Sequence, residues 1–172
     1  GSQVYDLVFP NNKRKKRKKN YVEKNISIPV QGLLSDMPAQ FAENSFIVPG
    51  DKIVGIVLPE KGITIYSVDS NELTTYEKSP ESWIKLQWKK DIDFTFTSRI
   101  KITIINEVGV LNSITSTIAD YGGNINNLIL NEKDNDFYNL IIDINVNDNK
   151  HISDIVKSLE GLPVVEAVIR FI

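Results

Sequence analysis

"INEVGVLNSITSTIADYGGNINNL" (residues 105–128) passes from one pattern of hydrophobic residues to another and back. Just before it, Ile100, Ile102 and Ile104 alternate, as in a strand with one buried face. Inside it, Leu111, Ile114, Ile118 and Tyr121 fall at helical spacing, and Gly122-Gly123 stops the helix. NINNLIL then reads as a second strand. Past a KDND turn, Tyr138, Leu140, Ile142, Ile144 and Val146 alternate as a third. Ile152, Ile155, Val156 and Leu159 form a second amphipathic stripe, ended by Gly161 and Pro163, and VVEAVIRFI supplies a last strand. The order over residues 94–172 is therefore βαββαβ, the ferredoxin-like arrangement of an α+β domain. Right-handed crossovers predict a four-stranded antiparallel sheet with both helices on one face.

Upstream, residues 25–93 change character: Pro and Gly are frequent and the apolar runs are short, which predicts small strands joined by turns. Ile53–Leu58 and Ile63–Val68 read as a hairpin about Pro59–Gly62. Ser79 is a candidate N-cap with Pro80 at the first helical position. Trp83 and Trp88 are expected to pack the core or the junction between domains rather than to stack on bases. AENSFIVPGDKIVGI (residues 42–56) has the shape of a metal knuckle, turn and strand, yet carries no cysteine. Residues 1–24 begin with Gly1-Ser2, which reads as a purification-tag remnant on an excised piece, and continue through Val4–Phe9 into a basic run.

The 172 residues suffice for one ordinary domain or two small ones. There is no apolar stretch of membrane-spanning length and no signal-peptide pattern, so a cytoplasmic protein without membrane contact is expected. A count of zero cysteines excludes disulfides, thiol catalysis and thiolate metal sites. The net charge of -2 conceals an asymmetry: Lys13, Arg14, Lys15, Lys16, Arg17, Lys18 and Lys19 are seven of the 20 basic residues, followed by an acidic body. Such a run is a solvated linker or a phosphate-binding tract for RNA, and without interleaved aromatics that contact would be non-specific.

Catalytic patterns are missing. His151, the one histidine, lies in a polar stretch at the start of the second helix and reads as a solvated surface residue. YGGN ends a helix, whereas phosphate-cradling loops open one. The carboxylates show no paired or metal-binding spacing. A binding or regulatory piece is predicted, with no cofactor.

The 105–128 stretch resembles an ACT domain, the small-ligand sensor of amino-acid metabolism. It matches that family's two motifs at Asn106, Gly109, Val110, Leu111, Gly122, Asn124 and Ile125, and departs at Glu107 and Val108, where Arg and Pro are common. The resemblance implies a ligand site over Asn106, Glu107, Val108, Gly109, Val110 and Leu111, together with Asn124 and Ile125, and side-by-side pairing into a homodimer. Chemically, Gly109 would let the backbone approach a ligand at a helix start, where free N–H groups attract a carboxylate. Asn106 and Asn124 could serve an α-amino acid's charged groups. Valine or isoleucine is the favoured ligand. The alternative is that Gly109 serves only the turn and Asn106 only caps the helix.

Residues 26–90 resemble the zinc-finger-like, ribosome-intersubunit domain that precedes the ACT domain in RelA/SpoT homologues, the bifunctional synthetases and hydrolases of (p)ppGpp. Ala42, Pro49, Gly50, Asp51, Ile53, Val54, Gly55, Gly62, Ile63 and Leu73 fit its pattern. The departures fall on the metal positions: Asn44 and Ser45 replace paired cysteines, Tyr66 a histidine, and Ser70 a cysteine. Amides and hydroxyls are poor zinc ligands, so a metal-free scaffold is expected, with Tyr66 filling the ion's space. The resemblance implies a non-catalytic regulatory piece of a (p)ppGpp 3'-pyrophosphohydrolase/GTP pyrophosphokinase. Its implied partners are an amino acid, the protein's own catalytic domains and ribosomal RNA. The alternative is an RNA- or ribosome-binding piece whose ACT domain only dimerises.

Overall fold

A computed structural model describes residues 3–4, 28–132 and 134–172. The Lys13–Lys19 tract lies outside the described residues. In chain order the strands are β1 (Gln3–Val4), β2 (Val30–Gln31), β3 (Ala39–Phe41), β4 (Ile53–Leu58), β5 (Gly62–Ser67), β6 (Trp83–Lys85), β7 (Gln87–Trp88), β8 (Phe96–Ile105), β9 (Asn124–Glu132), β10 (Phe137–Val146) and β11 (Val165–Phe171). The helices are α1 (Val110–Asp120) and α2 (Asn149–Glu160). None is long and apolar enough to cross a membrane.

The second half has the expected βαββαβ order. Its sheet runs β1-β9-β10-β8-β11, all pairs antiparallel. Alternation does the work: Ile100, Ile102 and Ile104 face the same core as Leu140, Ile142 and Ile144, closed by Ile114, Ile118, Ile152, Ile155 and Leu159 from the helices. Tyr121 departs from the expected buried stripe, for it caps α1 and stands exposed. Gly123 is glycine for a packing reason, since a Cβ there would meet Ile118, Ile144 and Ile155 at 3.0 Å or less. The sheet has one strand more than predicted. β1 adds to the edge of β9, pairing Gln3 with Leu130 and Val4 with Ile129, which satisfies backbone groups that an edge strand leaves free.

The first half is thinner. The β4–β5 hairpin forms where expected, β6 flanks β4, and β3 runs parallel to β5, giving the order β3-β5-β4-β6; β2 and β7 make a separate ribbon. The parallel β3 has no counterpart in the sequence pattern, because three residues are too few to show a period. Gly62 sits at φ +87 where a Cβ would strike the Pro38 carbonyl, so only glycine fits beside β3. The Ser79-Pro80 start yields just a short 3₁₀ turn, Pro80–Ser82, and Ser79 makes no side-chain cap. Two small clusters hold this half: Ala42, Ile56, Tyr66 and Leu73, and Val30, Ile65 and Leu86. Trp83 packs on the first of them and donates to the Tyr76 carbonyl at 2.8 Å. Trp88 bridges the halves, stacked on Phe41 with centroids 5.9 Å apart and edge-on to Phe96 at 5.7 Å.

Candidate ligand loop and degenerate metal knuckle

The loop after β8 is open to solvent. The Asn106 N–H donates to the Asp136 carbonyl at 3.0 Å, which holds the loop's root, while Val108 is fully exposed at 104%. Gly109 takes φ +84 with nothing within 4 Å of a would-be Cβ, so this glycine answers a backbone requirement and not a steric one. It is also the N-cap residue of α1 and offers no side chain, so Asn106 does not cap the helix. The first-turn N–H groups of α1 lack intrahelical acceptors, as in any helix, and no side chain caps them here. Val110 is a correction to the expected ligand-facing set: at 4% exposure its side chain belongs to the core, leaving only its backbone to the loop.

Asn124 and Ile125 lie elsewhere. Asn124 pairs with Asn145 and Ile125 with Ile144, at the end of β10, whereas Asn106 follows Ile105, which pairs with Phe137 at the start of β10. Eight strand steps separate the two groups, about 25 Å at ~3.3 Å per residue. One chain therefore does not bring Asn106 and Asn124 together; a site using both needs a second copy.

His151 has partners that its sequence setting does not show. Its Nδ1 accepts the Asn147 N–H at 3.0 Å, which leaves Nε2 to donate to the Tyr121 carbonyl at 2.7 Å. It remains at the surface, where these two bonds tie the start of α2 to the end of α1. The Asp148 carboxylate caps α2 by accepting the His151 N–H at 2.8 Å.

The knuckle positions are engaged in packing and turn closure. Asn44 sits at φ 58, a left-handed conformation that Asn tolerates better than most residues. The Ser45 hydroxyl donates to the Ala42 carbonyl at 2.5 Å, and the Ser70 hydroxyl accepts the Glu72 N–H at 3.3 Å. Tyr66 is buried in the Ala42–Ile56–Leu73 cluster with its ring 6.3 Å from that of Tyr76. Burial, and secondarily the hydrogen bond with Tyr76, pushes its phenol up to about 12. A phenol held neutral and hydroxyls committed to the backbone do not fit a zinc ion. Among the described residues no three His, Cys, Asp or Glu gather into a metal-binding group.

Residues 28–89 match the RelA/SpoT RIS domain family and residues 93–170 the ACT domain family. The chain is 40% identical over 136 residues to the GTP pyrophosphokinase rsh of Brucella abortus, covering 78% of this chain and 18% of that protein. It is 29% identical over 143 residues to the bifunctional (p)ppGpp synthase/hydrolase SpoT of Escherichia coli, covering 83% of this chain and 20% of that one. The chain thus spans about a fifth of the length of these relatives. A crystal structure of the ACT domain from a GTP pyrophosphokinase of Chlorobium tepidum aligns with 45% of this chain and 99% of its own, at 25% identity and a TM-score of 0.41.

Proposed function

Because the chain carries a RelA/SpoT RIS domain followed by an ACT domain, we propose that it is a regulatory portion of a cytoplasmic (p)ppGpp synthetase/hydrolase, acting on catalytic domains outside residues 1–172. Its effector site is the Asn106–Leu111 loop, completed by a second copy of the chain in a side-by-side dimer. The observation that supports this reading is a fully exposed Val108 immediately before a helix start that no side chain caps. A free α-amino acid meets both features: its carboxylate suits the first-turn N–H groups of α1, and an aliphatic side chain suits Val108. Asn106 and Asn124 of the partner subunit would take the ammonium. Burying a valine side chain is worth roughly 1.5–3 kcal/mol, so affinity is modest and valine outranks glycine. Calorimetry with valine, isoleucine and glycine tests this. Heat with the first two, weakened about ten-fold or more by Asn124→Ala, supports the site; no heat with any branched-chain amino acid refutes it. No metal is needed in the RIS half, so a chelator should leave the unfolding midpoint unchanged.

A second reading rests on the seven contiguous cations at Lys13–Lys19, set against an acidic remainder. If they contact ribosomal RNA, affinity falls steeply with salt, and replacing all seven by Ser and Gln removes that slope. An affinity unchanged by the replacement leaves the tract a linker.

A further inference from the structure

The turn at Phe46–Asp51 belongs to the RIS half in sequence, yet its contacts lead into the ACT half. Val48 is fully buried, and it lies in the same core as Ile100, Ile144 and Ile152. The Pro49 carbonyl accepts the Asn149 N–H at 2.8 Å, so the first helical N–H of α2 finds its acceptor in the other domain. Asp51 receives Arg170 of β11 in a two-pronged pair, Nη1 to Oδ1 at 2.9 Å and Nη2 to Oδ2 at 2.5 Å. The same guanidinium reaches the Phe46 carbonyl at 3.3 Å, and the Arg99 guanidinium lies 4.5 Å from the centroid of the Phe46 ring. Asp51 also closes its own turn, accepting the Val48 N–H at 2.8 Å, and its backbone carbonyl accepts the Trp88 indole at 2.9 Å.

This arrangement is more than incidental packing. Side-chain exposures of 20% for Arg170 and 10% for Asp51 place both charges largely out of water, where each depends on the other. Removing one partner of such a pair leaves an uncompensated charge, which is far costlier than losing a surface ion pair. Gly50 shows how closely the two domains approach: at φ +94, a Cβ there would lie 2.2 Å from the Asn149 side-chain oxygen. The backbone at Pro49, the bare Cα of Gly50 and the carboxylate of Asp51 thus each meet the other domain, and none of these contacts involves a metal.

We infer that the Phe46–Asp51 turn is a docking element for the ACT domain, and that Asp51 and Arg170 are the clasp that keeps the two domains as one body. A displacement of β11 or of the start of α2 is then felt in the RIS half. The inference does not depend on which ligand, if any, the Asn106–Leu111 loop takes.

Hydrogen exchange followed by NMR on the whole chain tests it. The probes are the Asn149 amide and the Trp88 indole N–H at the interface, with the Leu140 amide reporting the ACT core. Asp51→Asn should speed exchange at both interface probes by about ten-fold or more relative to Leu140. Arg170→Lys, which keeps the charge but loses the fork, should act in the same direction with a smaller effect. The double variant should be no worse than Asp51→Asn, because both changes break one contact. If Asp51→Asn does not fold, Arg170→Lys alone decides. Interface probes that do not change, that shift only in step with Leu140, or that respond additively would overturn the clasp.

Discussion

The two ends of β8 are treated oppositely. Where the strand begins, the Phe46–Asp51 turn covers the sheet, buries Val48 and provides acceptors for α2 and Arg170. Where it finishes, Asn106, Glu107, Val108 and Gly109 are all exposed, and the next helix starts without a side-chain cap. The same kinds of group recur at both ends: a valine, a glycine at positive φ, and the N–H groups of a helix start. At one end the chain itself meets their needs; at the other they face solvent, available to another molecule. In this protein, a covered, cohesive end and an open end are separated along one strand.

Paired substitutions can break that comparison. Gly50→Ala is expected to cost about 1–3 kcal/mol, mostly for a left-handed alanine, because the atoms its methyl would meet are the movable end of the Asn149 side chain. Gly109→Ala, at nearly the same φ but in open space, should cost only about 1–2 kcal/mol. Urea unfolding of the two variants gives the difference directly, and equal costs would mean that the Asn149 side chain swings clear of the new methyl group.

The valines sharpen it. Val48→Ala removes fully buried methyl groups and should destabilise by about 2–3 kcal/mol. Val108→Ala should stay within about 0.5 kcal/mol of the parent, because nothing is buried there. Its effect should appear only in the heat of valine binding.

The smallest effect is alkaline. The Tyr66 phenol is pushed up to about 12 from its ordinary 10.0, because burial disfavours the phenolate. The contribution of the neutral phenol is complete below pH 10 and is lost as pH rises from 10 towards 12. Tyr66→Phe should flatten the decline in unfolding midpoint across that window; an identical decline in both proteins would assign it to other groups.

How much of this was legible in the sequence depended on length and distance. Ten-residue strands such as β8 and β10 repeat their alternation often enough to declare themselves, as does the β4–β5 hairpin with its turn residues. The three-residue β3 has no such signal and is placed by its partner β5. The turn at Asn106–Gly109 is legible from its glycine and its polar residues, but sequence does not show that Val110 turns inward or that Asn124 stands at the opposite end of the sheet. The partners of His151, a backbone N–H and a distant carbonyl, leave no mark on side-chain pattern. The role of Asp51 was invisible for a related reason: Arg170, its partner, is an ordinary charge on a strand until the fold brings it near.

That separation, 119 residues between Asp51 and Arg170, has a consequence for the order of assembly. The β4–β5 hairpin closes over a tight turn and should form early, whereas bringing Asp51 to Arg170 must wait until β8, β10, α2 and β11 are in place. A chain emerging from the ribosome therefore carries Val48 uncovered and Asp51 unpaired until β11 has been made. A polypeptide interrupted before that strand would display this bare turn for as long as it persisted, a mark by which chaperones and proteases could distinguish it from a finished one.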